Sequence, residues 1–364
     1  MATQFVQPLQ SQKPKKSFIR RFAPDHSQRF RHIVQGVFLI LNAWLGLQFF
    51  LWARYFERGG TGLLVSRPAG VEGWLPIAGL MNTKYFLLTG HVPLIHPAAM
   101  FLFIGFLLMS LLLKKAFCSW LCPVGTFSEF LWKFGRRIFG RNPRLPRWFD
   151  IPLRGLKYLL LGFFVAVIGV MSAAALEDFM ATPYGLVADV KMLNFFRDIG
   201  LTAAIVIGLL MLLSMLVQNF WCRYLCPYGA LMGLASLLSP VKIRRDQEAC
   251  IDCGKCSKAC PAGIQVDKLV QIRTVECTGC MECVAVCSTQ DALQFALPPR
   301  RADTPGERWR RRVITPIAFC AVLAYIFFGV VLFARATNHW QTNLPQSIYM
   351  QLVPRANQLT HPGM

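Results

Sequence analysis

Charged side chains are scarce in this sequence. Asp, Glu, Lys and Arg make up 16% of its 364 residues, against roughly 25% in ordinary soluble domains. Acids are the scarcest, 18 against 39 basic residues. A formal charge of +21 spread through a soluble domain would point to nucleic acid, but the arrangement of these charges excludes that reading. Histidines number six, and the three near apolar segments, His32, His91 and His96, form no pair at one depth to hold a haem. No small-residue cleavage site follows the first apolar run. Ile19-Arg20-Arg21-Phe22, loosely like a twin-arginine export signal, therefore reads as part of a retained anchor.

What the chain does have is apolar sequence, 54% of all residues. Five charge-free runs approach the roughly 20 residues a membrane-crossing helix needs: Ile33–Ala53, Pro97–Leu113, Tyr158–Leu176, Ile199–Trp221 and Val313–Ala334. Between them, 31 of the 39 basic residues fall in 1–32, 114–157 and 222–312, and eight fall in the alternate segments. Arg308, Arg310, Arg311 and Arg312 stand directly before the last run. The positive-inside rule puts the heavy side in the cytoplasm. The expectation is a multi-pass protein of the bacterial inner membrane, with a cytoplasmic N-terminus and a periplasmic C-terminus. The excess positive charge then records topology and attraction to anionic lipid, with no nucleic-acid partner.

Ala116 to Gly125 reads AFCSWLCPVG and Phe220 to Gly229 reads FWCRYLCPYG. Both are C-x-aromatic-L-C-P-x-G, each just past the cytoplasmic end of an even-numbered run. Runs 1–2 and 3–4 therefore read as two parallel copies of one hairpin. Thr126–Phe139 after the first motif is amphipathic and reads as an interfacial helix or a packing element. On a helix, residues i and i+4 share a face, so Cys118 and Cys122 point together, as do Cys222 and Cys226. Four converging thiolates would suit Cu(I), zinc or a further Fe–S centre. The same cysteines also read as redox-active dithiols or as small packing residues. Cys320, alone in the last run, reads as packing.

The strongest signal lies at 242–297. Cys250, Cys253, Cys256 and Cys260 form C-x2-C-x2-C-x3-C-P, and Cys277, Cys280, Cys283 and Cys287 repeat the spacing. This is the bacterial two-cluster ferredoxin pattern, in which the fourth cysteine of each run serves the other cluster. The expected ligand sets for two [4Fe–4S] clusters are Cys250, Cys253, Cys256 and Cys287, and Cys277, Cys280, Cys283 and Cys260. Zinc sites pair two-cysteine knuckles instead, and disulfides are disfavoured on a reducing face. Ser288 stands where the second run would ordinarily carry Pro.

The expected fold is a membrane all-α protein. About five transmembrane helices form two hairpin repeats plus one, with a small α+β ferredoxin-like 2×[4Fe–4S] insert on the cytoplasmic side. Its segments are 1–32 (basic N-terminus), 33–241 (four-helix membrane domain), 242–297 (ferredoxin-like), 298–312 (basic linker), 313–334 (fifth helix) and 335–364 (periplasmic tail). In the order of these motifs the chain resembles the membrane-bound polyferredoxin family typified by NapH, NosR and CcoG. The resemblance covers roughly Ile33 to Leu297 and implies electron transfer in a respiratory or metal-centre maturation pathway. The short segments before Ile33 and after Ala334 leave no room for the flavin-bearing outer domain of NosR-type proteins or the folded C-terminal domain of CcoG-type proteins.

The leading functional reading is an iron–sulfur relay between a quinol or cytoplasmic donor and a membrane or periplasmic redox partner. Its competitors are a copper- or metal-handling reductase for metalloenzyme maturation and a structural anchor for another Fe–S subunit. Glu177, Asp178 and Asp189 read either as acceptors of quinol protons or as ordinary solvated charges.

Overall fold

The computed structural model describes residues 19–22, 25–143, 145–298 and 312–361. The expected basic segments 1–32 and 298–312 are thus described only in part, and Arg308, Arg310 and Arg311 lie outside the described residues. The fold is mainly helical. Helix α1 (Ser27–Glu57) leads to a 3-10 turn (Ala69–Trp74), then α2 (Pro76–Thr89), α3 (Pro97–Leu113) and α4 (Pro123–Phe139). A proline opens each of the last three, a position where its missing N–H costs nothing. Next come α5 (Arg147–Val170), α6 (Ala173–Ala181), α7 (Pro183–Leu186), α8 (Ala188–Arg197), α9 (Leu201–Leu216) and α10 (Pro227–Ala235).

Among the described residues, three helices are long and apolar enough to cross a membrane: α1, Trp148–Val170 of α5, and α11 (Pro316–Ala336). The pair α8 and α9, bent by 80°, makes a fourth if taken as one span. Their outward faces carry exposed Ile40, Trp44, Leu159, Phe163, Leu209 and Leu332, a surface that lipid solvates and water does not. The run expected at Pro97–Leu113 is helical over the same residues, but it is only 17 residues long, about 25 Å at 1.5 Å per residue. It is also the central post of the bundle, buried along most of its length between α2, α10 and α11. Close packing explains that position. A Cβ on Gly79 of α2 would sit 2.9 Å from the Ala99 carbonyl and from Phe103 Cβ, so glycine lets the two backbones approach.

Two expected boundaries move. The run placed at Tyr158–Leu176 stops at Val170. The Lys84 ammonium donates to the Ile168 and Gly169 carbonyls at 2.8 Å each, and Ser172 opens the next helix by accepting from Ala175 N–H at 3.2 Å. The run placed at Ile199–Trp221 is an α-helix only to Leu216 and then enters a wide turn.

The insert is built from β1 (Lys242–Arg245), α12 (Lys255–Ala259), α13 (Glu282–Ala285) and β2 (Leu293–Ala296). The strands pair antiparallel, Lys242 against Ala296 through Arg245 against Leu293. Ile243 and Phe295 turn into a core that continues without interruption through Trp120, Leu113, Met109 and Phe106 of the helical bundle. Residues 19–21 strap onto the same insert, since Arg21 N–H donates to Ser288 O (3.0 Å) and Gln290 N–H to Ile19 O (2.9 Å). The Arg20-Arg21 pair thus has a structural place.

Arg31 locks insert to bundle. It is 1% exposed and grips both oxygens of Glu129 on α4 (2.6 and 2.8 Å) and Glu282 on α13 (2.8 Å). Burial would raise the Glu129 carboxyl, but its bonds with His32, Arg31 and Lys133 hold it well below the usual range. Removing one member of a buried ion pair costs about 3–5 kcal/mol. Arg31→Met should therefore lower the thermal midpoint of the detergent-solubilised protein clearly, with Glu129→Gln recovering part of the loss. A single variant as stable as the parent would show that the network contributes nothing.

Candidate functional site

The two ferredoxin runs fold alike for a local reason. Each has left-handed backbone at the second and fourth positions after its first cysteine: Asp252 and Gly254 in one, Gly279 and Met281 in the other (φ 55–68°). Such turns wrap the chain around a centre. Cys287 lies within electrostatic reach of Cys250 and Cys253. Cys283 lies within reach of Cys280, Cys260, Cys277 and Cys256. The last cysteine of each run thus lies near cysteines of the other run. Cys260, Cys277 and Cys283 are buried, whereas Cys253 is exposed.

The C-x3-C-P motifs form a second constellation. Cys118 and Cys222 sit in short π-helical turns, Phe117–Leu121 and Trp221–Leu225, a geometry that gathers at functional sites. The turns close through Cys122 N–H to Phe117 O (2.9 Å) and Cys226 N–H to Trp221 O (3.0 Å). The α-helical i, i+4 spacing expected from the sequence is replaced by this wider turn. Each second cysteine then caps a helix begun by its proline. Cys226 Sγ accepts from Gly229 N–H at 3.2 Å, and the Gly125 amide lies beside Cys122. Glycine is required in the first copy, where a Cβ at Gly125 would collide with the Cys118 carbonyl; a Cβ at Gly229 would stand in ordinary contact, 3.5 Å from Cys226 Sγ. A helix N-terminus favours negative charge on such a sulfur.

All four of these thiols open onto one cavity of about 530 Å³, and Cys222 feels the charges of Cys226, Cys122 and Cys118. The cavity runs along Phe38, Leu41 and Leu45 of α1 to Arg67 and Trp74. Burial pushes the Cys118 thiol up to about 11 and Cys122 to about 12. Reactive dithiols need lowered values, whereas a bound metal deprotonates a thiol outright. Among the described residues, no three His, Cys, Asp or Glu side chains are gathered tightly enough for a single metal ion. Four thiols lining one cavity are the donor set of a four-iron cluster, in which each thiolate binds a different iron.

The two constellations touch. Ser119 and Trp120, inside the first C-x3-C, donate to Thr278 O (2.7 Å) and Gly279 O (3.2 Å), the turn between Cys277 and Cys280. Gln28 of α1 donates to Cys280 O (2.8 Å). The surroundings fit an anionic group: Lys114 Nζ is buried with no hydrogen-bond partner among the described residues, and Lys115 is 3% exposed beside Cys118, Cys226 and Cys222. Sequence reasoning missed both lysines, whose only signal was two cations immediately after an apolar run.

The same 4Fe-4S binding-domain model matches residues 95–142 and 199–246, an offset of 104 residues. A 4Fe-4S dicluster domain model matches 242–288. The chain is 49% identical over 332 residues to the putative electron transport protein YccM of Escherichia coli K12, covering 91% of this chain and 92% of that one. The chain belongs to the membrane polyferredoxin family. It is 27% identical to the ferredoxin-type protein NapH of E. coli K12, over 59% of this chain and 73% of NapH. It is 28% identical to the protein NirI of Paracoccus denitrificans, over 48% of this chain and 25% of NirI. No solved structure matches. As a family member it carries iron–sulfur clusters and transfers electrons.

At the far end of the cavity lies a charge network that the sequence did not disclose. Arg67 binds Glu72 (2.9 Å) and Asp189 (2.6 Å), and His96 Nδ1 stands 3.3 Å from Glu72. Asp189 is buried, unlike the exposed Glu177 and Asp178. Burial would raise Glu72, but Arg67 and then His96 hold it at about 2. Burial would lower His96, but Glu72 and then Asp189 raise it. Glu72's contribution to stability is complete above its unfolded value of 4.5 and is lost as pH falls toward 2. That of His96 is complete below 6.5 and is lost as pH rises through its folded value. The thermal midpoint should fall on both flanks. Glu72→Gln should abolish its acid flank, and an unchanged pH profile would refute the assignment.

Proposed function

We propose that this protein is a membrane relay in which three cysteine sets are ranked from surface to cavity. The first set is Cys250, Cys253, Cys256 and Cys287, with its edge at exposed Cys253 facing a soluble redox partner. The second is Cys277, Cys280, Cys283 and Cys260, pinned to the bundle through Ser119 and Trp120. The third is Cys118, Cys122, Cys222 and Cys226, opening on the apolar cavity. The first two sets would each hold a [4Fe–4S] cluster, and the third would hold a further Fe–S centre. Clusters bound there would supply single-electron transfer.

The observation that carries the reading is the pair of hydrogen bonds from Ser119 and Trp120 to the Cys277–Cys280 turn. They fix a ferredoxin ligand loop against the turn that bears Cys118 and Cys122. A third four-thiolate set is further supported by the two 4Fe-4S model matches outside the insert, each of which spans only two cysteines. The cavity's apolar length along α1 suits a quinol, with Arg67, Glu72, His96 and Asp189 closing its outer end. The basic asymmetry of the sequence supports five spans in two parallel hairpins plus one. It also supports a cytoplasmic insert and a periplasmic segment 335–364.

Iron counting tests the site. The reconstituted protein should hold about twelve irons, four per cluster. Cys118→Ser and Cys222→Ser should each remove about four, and combining them should remove no more, because ligands of one centre act non-additively. A parent holding about eight irons, or losses that add, would defeat the shared centre and leave the insert assignment standing. Topology is tested separately: reporter fusions after Ala296 should be active only in the cytoplasmic assay, and periplasmic activity would invert the arrangement.

A further inference from the structure

The end of α3 spends an awkward residue on charge. Lys114 lies at φ 63°, ψ −168°, a region that side chains avoid and glycine tolerates. Ser239 holds it there, accepting Lys114 N–H at 3.0 Å while its hydroxyl reaches the Leu112 and Val241 carbonyls. Lys114 is fully buried. Its Cβ side packs where a side chain at Gly279 would stand, 3.5 Å away, and its charge acts on Cys277.

The next residue serves the other site. Lys115 Nζ lies 3.5 Å from the Cβ position of Gly229, beside Cys226 Sγ, and its charge acts on Cys118, Glu276, Cys226 and Cys222. The other charged groups here are Lys157 and Glu276, bound to each other at 2.7 and 2.9 Å, with Lys242 and Arg154 further out. One carboxylate, Glu276, thus faces both Lys157 and Lys115, and with Lys114 alongside, the buried charge here is in excess on the cationic side.

We propose that Lys114 and Lys115 are a split counter-ion: Lys114 serves the cluster held by the Cys277 set, and Lys115 serves the centre held by the C-x3-C-P cysteines. The Lys115 half rests on the three-centre reading above. A four-iron cluster with four thiolates is an anion, and reduction adds one more negative charge. Burial opposes that charge, and a fixed cation in the same low-dielectric space offsets the opposition. The strained turn at Lys114 lets two adjacent side chains diverge toward two neighbouring centres. It therefore holds both potentials up together, which favours electron exchange between them.

The test is an EPR-monitored redox titration of the full-length reconstituted protein, with iron counted in each variant. Lys114→Met should lower the midpoint of the Cys277-set cluster, and Lys115→Met that of the C-x3-C-P centre, which Cys118→Ser identifies by eliminating its signal. Each shift should be at least tenfold in the reduction equilibrium, about 59 mV for a one-electron couple. The Cys250-set cluster should move little. Lys→Arg at either position should restore most of the midpoint, since it restores charge. Met variants that keep their iron and their parental midpoints overturn the proposal. If a Met variant loses iron, recovery of that iron in the Arg variant supports the counter-ion, and equal loss in both overturns it in favour of packing. A parent with about eight irons, two four-iron clusters, removes the three-centre reading and the Lys115 half with it. The Lys114 half is then decided on the insert alone.

Discussion

The Cys277–Cys280 turn cannot move away from the helices without breaking the Ser119 and Trp120 bonds to its carbonyls. Those two residues lie inside the C-x3-C of the first motif. One set of contacts therefore fixes a ferredoxin ligand loop and a membrane-domain cysteine turn against each other. The common core that runs from Phe106 through Trp120 to Ile243 and Phe295 makes the contact dry. Arg31, bound to Glu129 and Glu282, closes it on the side of α1. Rigid placement matters because electron transfer between centres depends on separation, and a tethered insert would let that separation drift.

Charge follows the same plan. Buried cations collect where anionic groups are to be held, at Lys114 and Lys115. At the opposite end of the cavity, Arg67, Glu72, His96 and Asp189 compensate one another. An ion buried alone is costly, so the self-paired outer network reads as a closure. The cations at the inner end outnumber their one carboxylate, Glu276, and read as half of an interaction that a cofactor completes.

The C-x3-C-P-x-G motif gains a physical account from its two copies. The π-helical turn brings its cysteines to one cavity, proline starts the next helix without wasting a donor, and the glycine amide points at sulfur, while in the first copy Gly125 also leaves room for the Cys118 carbonyl. In each copy the motif supplies two thiols to the cavity, and only the packing of both copies brings four there.

The sequence by itself determined the eight-cysteine spacing, the paired motifs and the apolar runs, because each is a local pattern of residue types along a short stretch of chain. It therefore announced an iron–sulfur membrane protein of this family. Tertiary structure decided what those cysteines face. It made Pro97–Leu113 a buried central post, ended one expected run at Val170 through the distant Lys84, and joined insert to bundle through Ser119 and Trp120. It also turned Lys114 and Lys115 toward different sites and assembled Arg67 with Asp189 across 122 residues. Those outcomes depend on pairings between residues far apart in the chain, and no periodicity along the sequence encodes which distant partner a buried charge will meet.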